Sequence, residues 1–188
     1  MKTATWMIVV CPAVLLLAGC PDPADSPQPE PSSEPPAAAR ADPSAQTLLT
    51  WLTCSECGES QLETVLRLDP LPVSELAYAA QNGPTDATMD SFEARLDEVF
   101  DDLQEYSKDH PEALPGTGRR QFIEQYASGF KRRYKVRAVQ GLGRIKTRAA
   151  IGALEDAFCA QPPTGEKPDP AVKAAIRVAL GTVPSCPP

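Results

Sequence analysis

Six cysteines and one histidine are the side chains best suited to chemistry in this 188-residue sequence. The cysteines stand at positions 11, 20, 54, 57, 159 and 186. A thiolate can act as a nucleophile, ligate a metal or form a disulfide, and its surroundings decide which. Cys54-Ser55-Glu56-Cys57 has the two-residue spacing of redox pairs and zinc knuckles. A thioredoxin-like pair needs a strand-to-helix setting that lowers one thiol's pKa, whereas Glu56 and Glu59 make a thiolate here more costly. A four-cysteine zinc site would call for a second knuckle, and Gly58 occupies the place where haem attachment requires histidine. His110 sits between Asp109 and Pro111 at an expected helix end, which fits a surface or capping role. With one histidine and no glycine-rich phosphate loop, hydrolase triads, P-loops and histidine-based metal sites lack their parts. The expectation is therefore no catalytic residue, no metal, no cofactor and no identified small-molecule substrate. The acids of 86–112 read as the solvated face of a long helix, without calcium-loop spacing.

Cys20 belongs to a different context. Lys2 precedes an apolar run from Trp6 to Ala18, which is long enough for a signal-peptide core and shorter than a spanning helix. Leu17-Ala18-Gly19-Cys20 then resembles the bacterial lipobox at all four positions. Small residues at 18 and 19 suit entry into a peptidase site, and the Cys20 thiolate would accept the lipid. Cys11 follows two branched valines and does not compete. The resemblance implies a lipoprotein signal peptide over 1–19 and a palmitate-type acyl anchor on Cys20. It also implies a domain outside the cytoplasm, held at the cell envelope with the inner or outer membrane undetermined. Two or more acyl chains give stable anchoring.

Residues 20–46 then form a tether. Eight of the 21 prolines fall between Pro21 and Pro43, and almost no large apolar residue lies among them. Such a segment cannot bury enough surface to offset ordering entropy, so disorder with polyproline stiffness is expected. Past the signal, Cys54, Cys57, Cys159 and Cys186 remain. An even number in an exported chain suggests disulfides. A Cys159–Cys186 bridge would contribute about 3.5 kcal/mol through loop closure. Cys54 and Cys57 are close enough in sequence to pair locally. The crossed pairings stay open at this point.

The elements that would position these groups are helices. Apolar residues are 42% of the chain but aromatics only 6%, so the core must rest on Leu, Ala, Val and Ile, which favours an all-α domain over 47–188. The segments 58–68 and 73–82 read as a helical hairpin broken by Pro70 and Pro72. Met89, Phe92, Leu96, Val99, Leu103 and Tyr106 recur at helical spacing and predict a helix over about 87–108. A second long helix over 119–145 should bury Phe122, Ile123, Tyr126, Phe130, Tyr134, Val139, Leu142 and Ile145. Gly129, Gly141 and Gly143 weaken it unless they admit close neighbours. Thr147 can cap a helix to Ala160, and Asp169-Pro170 reads as the start of a last helix ending at Gly181.

Tyr134 to Ala160, with Val136-Arg137-Ala138, Leu142-Gly143-Arg144-Ile145 and Ala150 to Leu154, resembles a HEAT repeat of the phycobilisome-lyase-like type. Ala171 to Ala175 with Ala179-Leu180 resembles the first helix of another, and 58–82 a degenerate earlier one. Trp51-Leu52, Cys54 to Cys57 and Asn82-Gly83-Pro84 are also similar to a group of HEAT-containing envelope proteins. Residues 84–133 depart from the pattern and read as an inserted helical arm in a short, irregular array. The resemblance implies partner binding or scaffolding and no reaction. The function expected is thus a non-catalytic interaction module, with a membrane reached through lipid and an envelope protein as partners. An envelope thiol–disulfide redox protein using Cys54 and Cys57 is the alternative.

Net charge is −7, which argues against a nucleic-acid partner. The charge is segregated, with 15 acids and 3 bases over 47–112 against 10 bases and 1 acid over 119–148. Either two complementary faces meet within the fold, or the basic segment faces anionic lipid or an acidic partner.

Overall fold

The computed structural model describes residues 42–113, 115–160 and 168–186. The expected signal peptide, Cys20 and all but the last residues of the expected tether lie outside them. The domain is all-α. Seven helices follow one another with no strand among the described residues: α1 Pro43–Thr53, α2 Glu59–Val65, α3 Val73–Asn82, α4 Asp86–Tyr106, α5 Arg119–Ile145, α6 Arg148–Cys159 and α7 Pro170–Leu180. A short 3-10 turn, Pro111–Ala113, lies between α4 and α5.

The boundaries follow local chemistry. Asp42 accepts a hydrogen bond from the Ser44 amide at 3.0 Å, and Pro43 takes the first helical position. Proline costs nothing there, because its missing N–H would have had no helical partner. Helix α1 therefore begins inside the segment expected as tether, four residues before Thr47. Thr85, Thr147 and Asp169 cap α4, α6 and α7 in the same manner. Gly83 and Gly181 end α3 and α7 with φ of 84° and 70°, a region that glycine enters without penalty.

Helix α5 is the hub, since α1, α3, α4, α6 and α7 all pack on it. The main core gathers Leu76 of α3, Val139 and Leu142 of α5, Leu154 of α6 and Ile176 of α7, all fully buried. Two glycines admit the neighbours. A Cβ on Gly141 would stand 3.0 Å from Leu76 Cδ1 and 3.3 Å from Trp51 Cη2, and one on Gly143 would stand 2.8 Å from the Ala179 Cβ. Gly129 meets only the Arg133 side chain of its own helix.

The expected hairpin over 58–82 is not formed as a pair. Helix α2 packs on α1, while α3 lies along α5 and α6. Seven residues offer α2 too short an apolar face to select its partner by periodicity alone.

Helices α4 and the first turns of α5 make the arm, with a small core of their own: Leu96, Phe100 and Phe122. Phe92 stacks on Phe130 at 4.0 Å and borders both cores. The stripe differs from expectation at two places. Val99 is 40% exposed and Tyr106 56%, while Phe100 is buried against the edge of the Phe122 ring at 5.3 Å. Positions 99 and 100 are one helical step apart, and the larger aromatic area goes inside. On α5, Tyr126 is likewise exposed.

Arg119 and Arg144 of the basic run meet acids of 47–112 across helices, whereas Arg132 meets an acid beyond both runs. Arg119 pairs with Asp97 and Asp101 of α4, Arg132 with Asp169 at 2.7 Å, and Arg144 with Glu59 at 2.6 Å and Glu63 at 3.2 Å. Exposed pairs of this kind stabilise little, so they act chiefly on register.

Candidate functional site

Cys54 closes α1 as its extended C-cap, and Cys57 stands just before Gly58, the N-cap of α2. The chain bends between the two helices, which brings the pair to disulfide distance with Cα atoms 5.7 Å apart. Both residues are partly exposed. The carbonyl end of α1 carries partial negative charge, which disfavours a thiolate at Cys54.

Beside Cys57 opens a cleft of about 350 Å³ whose lining includes Trp51, Glu59, Leu62, Arg137 and Gln140. Trp51 is held there because its ring packs against Gly141 of α5. Arg137 donates from Nη1 to the Trp51 carbonyl oxygen at 2.5 Å, satisfying a carbonyl in the last turn of α1. Burial, and then the like charge of Arg133, lower the Arg137 guanidinium from the usual arginine range. It remains a cation, as arginine does throughout proteins. Glu59 on the cleft wall is engaged by Arg144.

The other two cysteines also come together. Cys159 is the last residue of α6, and the segment after Gly181 returns to place Cys186 at disulfide distance, with Cα atoms 5.3 Å apart. The structure thus pairs neighbours 54–57 and 159–186 rather than crossing them. Next to this link, Lys173 Nζ and Arg177 Cζ of α7 lie 5.0 Å and 5.5 Å from the Phe158 ring centroid. That arrangement clamps α7 onto α6.

A second opening, of about 410 Å³, is mainly apolar. Leu48, Leu49 and Leu52 of α1, Tyr78 of α3 and Tyr134 of α5 line it. Leu49 and Tyr78 are exposed despite their size. Burial raises the Tyr134 hydroxyl above the usual tyrosine range, so it stays neutral.

His110 stacks on Tyr106 with ring centroids 4.2 Å apart and faces Glu112 from 3.5 Å, an exposed arrangement beyond the end of α4. Among the described residues no group of His, Cys, Asp and Glu could hold a metal ion, and no helix is long and apolar enough to cross a membrane. Arg137 and the two openings have no signature in the sequence. Arg137 is one base among ten, and only the fold turns it inward.

No protein family, curated protein or solved structure matches the chain.

Proposed function

We propose that this chain is an exported lipoprotein of the bacterial envelope, anchored through Cys20, whose helical domain binds a partner protein without catalysing a reaction. The observation that carries the reading is Leu17-Ala18-Gly19-Cys20 behind a short apolar run. Two cysteine pairs at disulfide distance fit an oxidising compartment. The apolar groove with exposed Leu49 and Tyr78 supplies the contact surface, since grouped apolar side chains at a surface mark interaction sites. The HEAT-like pattern of 134–160 agrees with binding rather than chemistry.

Two measurements on the full chain in a bacterial host test the two halves. Metabolic labelling with an acyl analogue should mark the wild type and leave Cys20→Ser unlabelled and released from membranes. Membrane-bound Cys20→Ser of unchanged relative mass would refute anchoring. A photocrosslinker at Tyr78 should yield a discrete adduct that one at the exposed Arg120 does not; equal or absent adducts would refute the groove as a docking surface.

The thiol–disulfide alternative has one favouring observation, the partly exposed Cys54–Cys57 pair beside a cleft that Arg137 and Glu59 both line. A reduction potential as low as that of structural disulfides would dismiss it.

A further inference from the structure

We infer that the cleft beside Cys57 is a carboxylate-binding site, in which Arg137 takes the anion while Trp51, Leu62 and Val136 take an apolar group attached to it. The inference stands apart from membrane attachment and from the Leu49–Tyr78 groove.

The first observation is an imbalance along one helix. Arg119 and Arg144 of α5 each meet a carboxylate on another helix, and Arg132 meets that of Asp169, the cap of α7. Arg137 is more enclosed than any of these, yet among the described residues it pairs with no carboxylate. A single neutral carbonyl occupies one of its five N–H donors. Arg133, one turn away on the same helix, adds a like charge that lowers the Arg137 guanidinium. A half-buried cation facing a like charge is relieved by an incoming anion, and the planar guanidinium matches a carboxylate at two points.

The second observation is the enclosure. Gln140, about one helical turn from Arg137, supplies an amide to the same cleft. Glu59 is a wall residue whose charge is already met by Arg144 at 2.6 Å. Most of the wall is polar, and Trp51, Leu62 and Val136 add a small apolar strip. A volume near 350 Å³ is at the small end for ligand sites and has room for one amino-acid residue or a short acid. The ligand class is therefore a carboxylate next to an aliphatic group, as in the C-terminal residue of a peptide or a free short-chain acid.

Calorimetric titration of the full chain tests this with three probes: N-acetyl-Ala-Leu as the free acid, the same dipeptide amidated, and hexanoate. The free acid should bind saturably, with the amide weaker by about tenfold or more, because the charge-assisted bonds to Arg137 are lost. Arg137→Lys keeps the charge and loses the two-point grip, so binding should fall about tenfold; Gln140→Ala should lower it by about threefold. Hexanoate binding as tightly as the dipeptide acid assigns the site to free acids, and binding of the dipeptide alone assigns it to chain termini. Should Arg137→Lys fail to fold for want of the α1 cap, the Gln140→Ala variant and the acid–amide comparison decide. Equal affinity for acid and amide, no saturable heat from any probe, or wild-type affinity in folded Arg137→Lys and Gln140→Ala would each overturn the site.

Discussion

Gly143 and Gly152 both lie inside helices, and replacing each with alanine should move stability in opposite directions. Alanine is favoured over glycine in a helix interior by about 1 kcal/mol. At Gly152 a Cβ would meet no atom within 4 Å, so Gly152→Ala should realise that gain. At Gly143 the new methyl would stand 2.8 Å from the Ala179 Cβ and 3.4 Å from its Cα. Carbon atoms prefer about 3.5–4.0 Å. The Ala179 methyl has no rotamer through which to retreat, so α5 and α7 must separate. Overpacking of this kind costs about 1–3 kcal/mol, which outweighs the propensity gain and leaves Gly143→Ala less stable by about 1 kcal/mol. Ala179→Gly alone should lose about 1 kcal/mol of helix propensity. The double variant Gly143→Ala/Ala179→Gly moves the methyl from one helix to the other and should return near the wild type, a coupling of about 2 kcal/mol. Urea unfolding followed by far-ultraviolet circular dichroism, with unchanged m-values, reads all four. A stabilised Gly143→Ala, or strict additivity in the double variant, would refute the close approach of α5 and α7.

Three further outcomes are expected. Loop closure makes the bridges unequal: Cys159→Ser/Cys186→Ser, with a separation of 27, should lose about 3.5 kcal/mol and Cys54→Ser/Cys57→Ser, with a separation of 3, under about 2 kcal/mol, read as urea midpoints under oxidising conditions. Burial pushes the Asp169 carboxyl up, but hydrogen bonds from Arg132 and the Ala171 amide more than offset this and hold it below its ordinary range. The folded carboxyl binds its proton more weakly than the unfolded one, so its stabilisation is complete above about pH 4 and lost as pH falls through the lower folded value. The stability gap between wild type and Asp169→Asn should accordingly narrow in acid, and a gap that is constant with pH would contradict the pairing. Leu76→Ala, at a fully buried position, should cost about 2–5 kcal/mol in the same unfolding assay.

Helix ends were the most legible part of the sequence. Thr147, Asp169-Pro170 and Gly181 declare α6 and α7 through their own side chains and backbone freedom, and the structure ends those helices there. Pro43 misled by company, because it follows seven other prolines of a linker-like segment, yet only Asp42 beside it decides its role. Val99 and Phe100 show the limit of periodicity. Both sit near the same stripe, and the choice between them falls to Phe122, a residue of another helix. The cysteine pairs were readable because 54–57 is local and 159–186 joins the ends of two expected helices. Arg137 was not, because a base in a basic run becomes distinctive only when the carboxyl end of α1 is laid over it.

The position of α5 has a consequence for how the molecule can fail. In a stack of repeats each unit leans only on its neighbours, so losses stay local. Here one axle carries five spokes. Stripping away any spoke lays bare apolar surface on the axle itself, and breaking the axle near Leu142 leaves the spokes nothing to lean on. Damage at that one place travels to every side at once, whereas the same injury at the tip of the arm touches only the small aromatic core there.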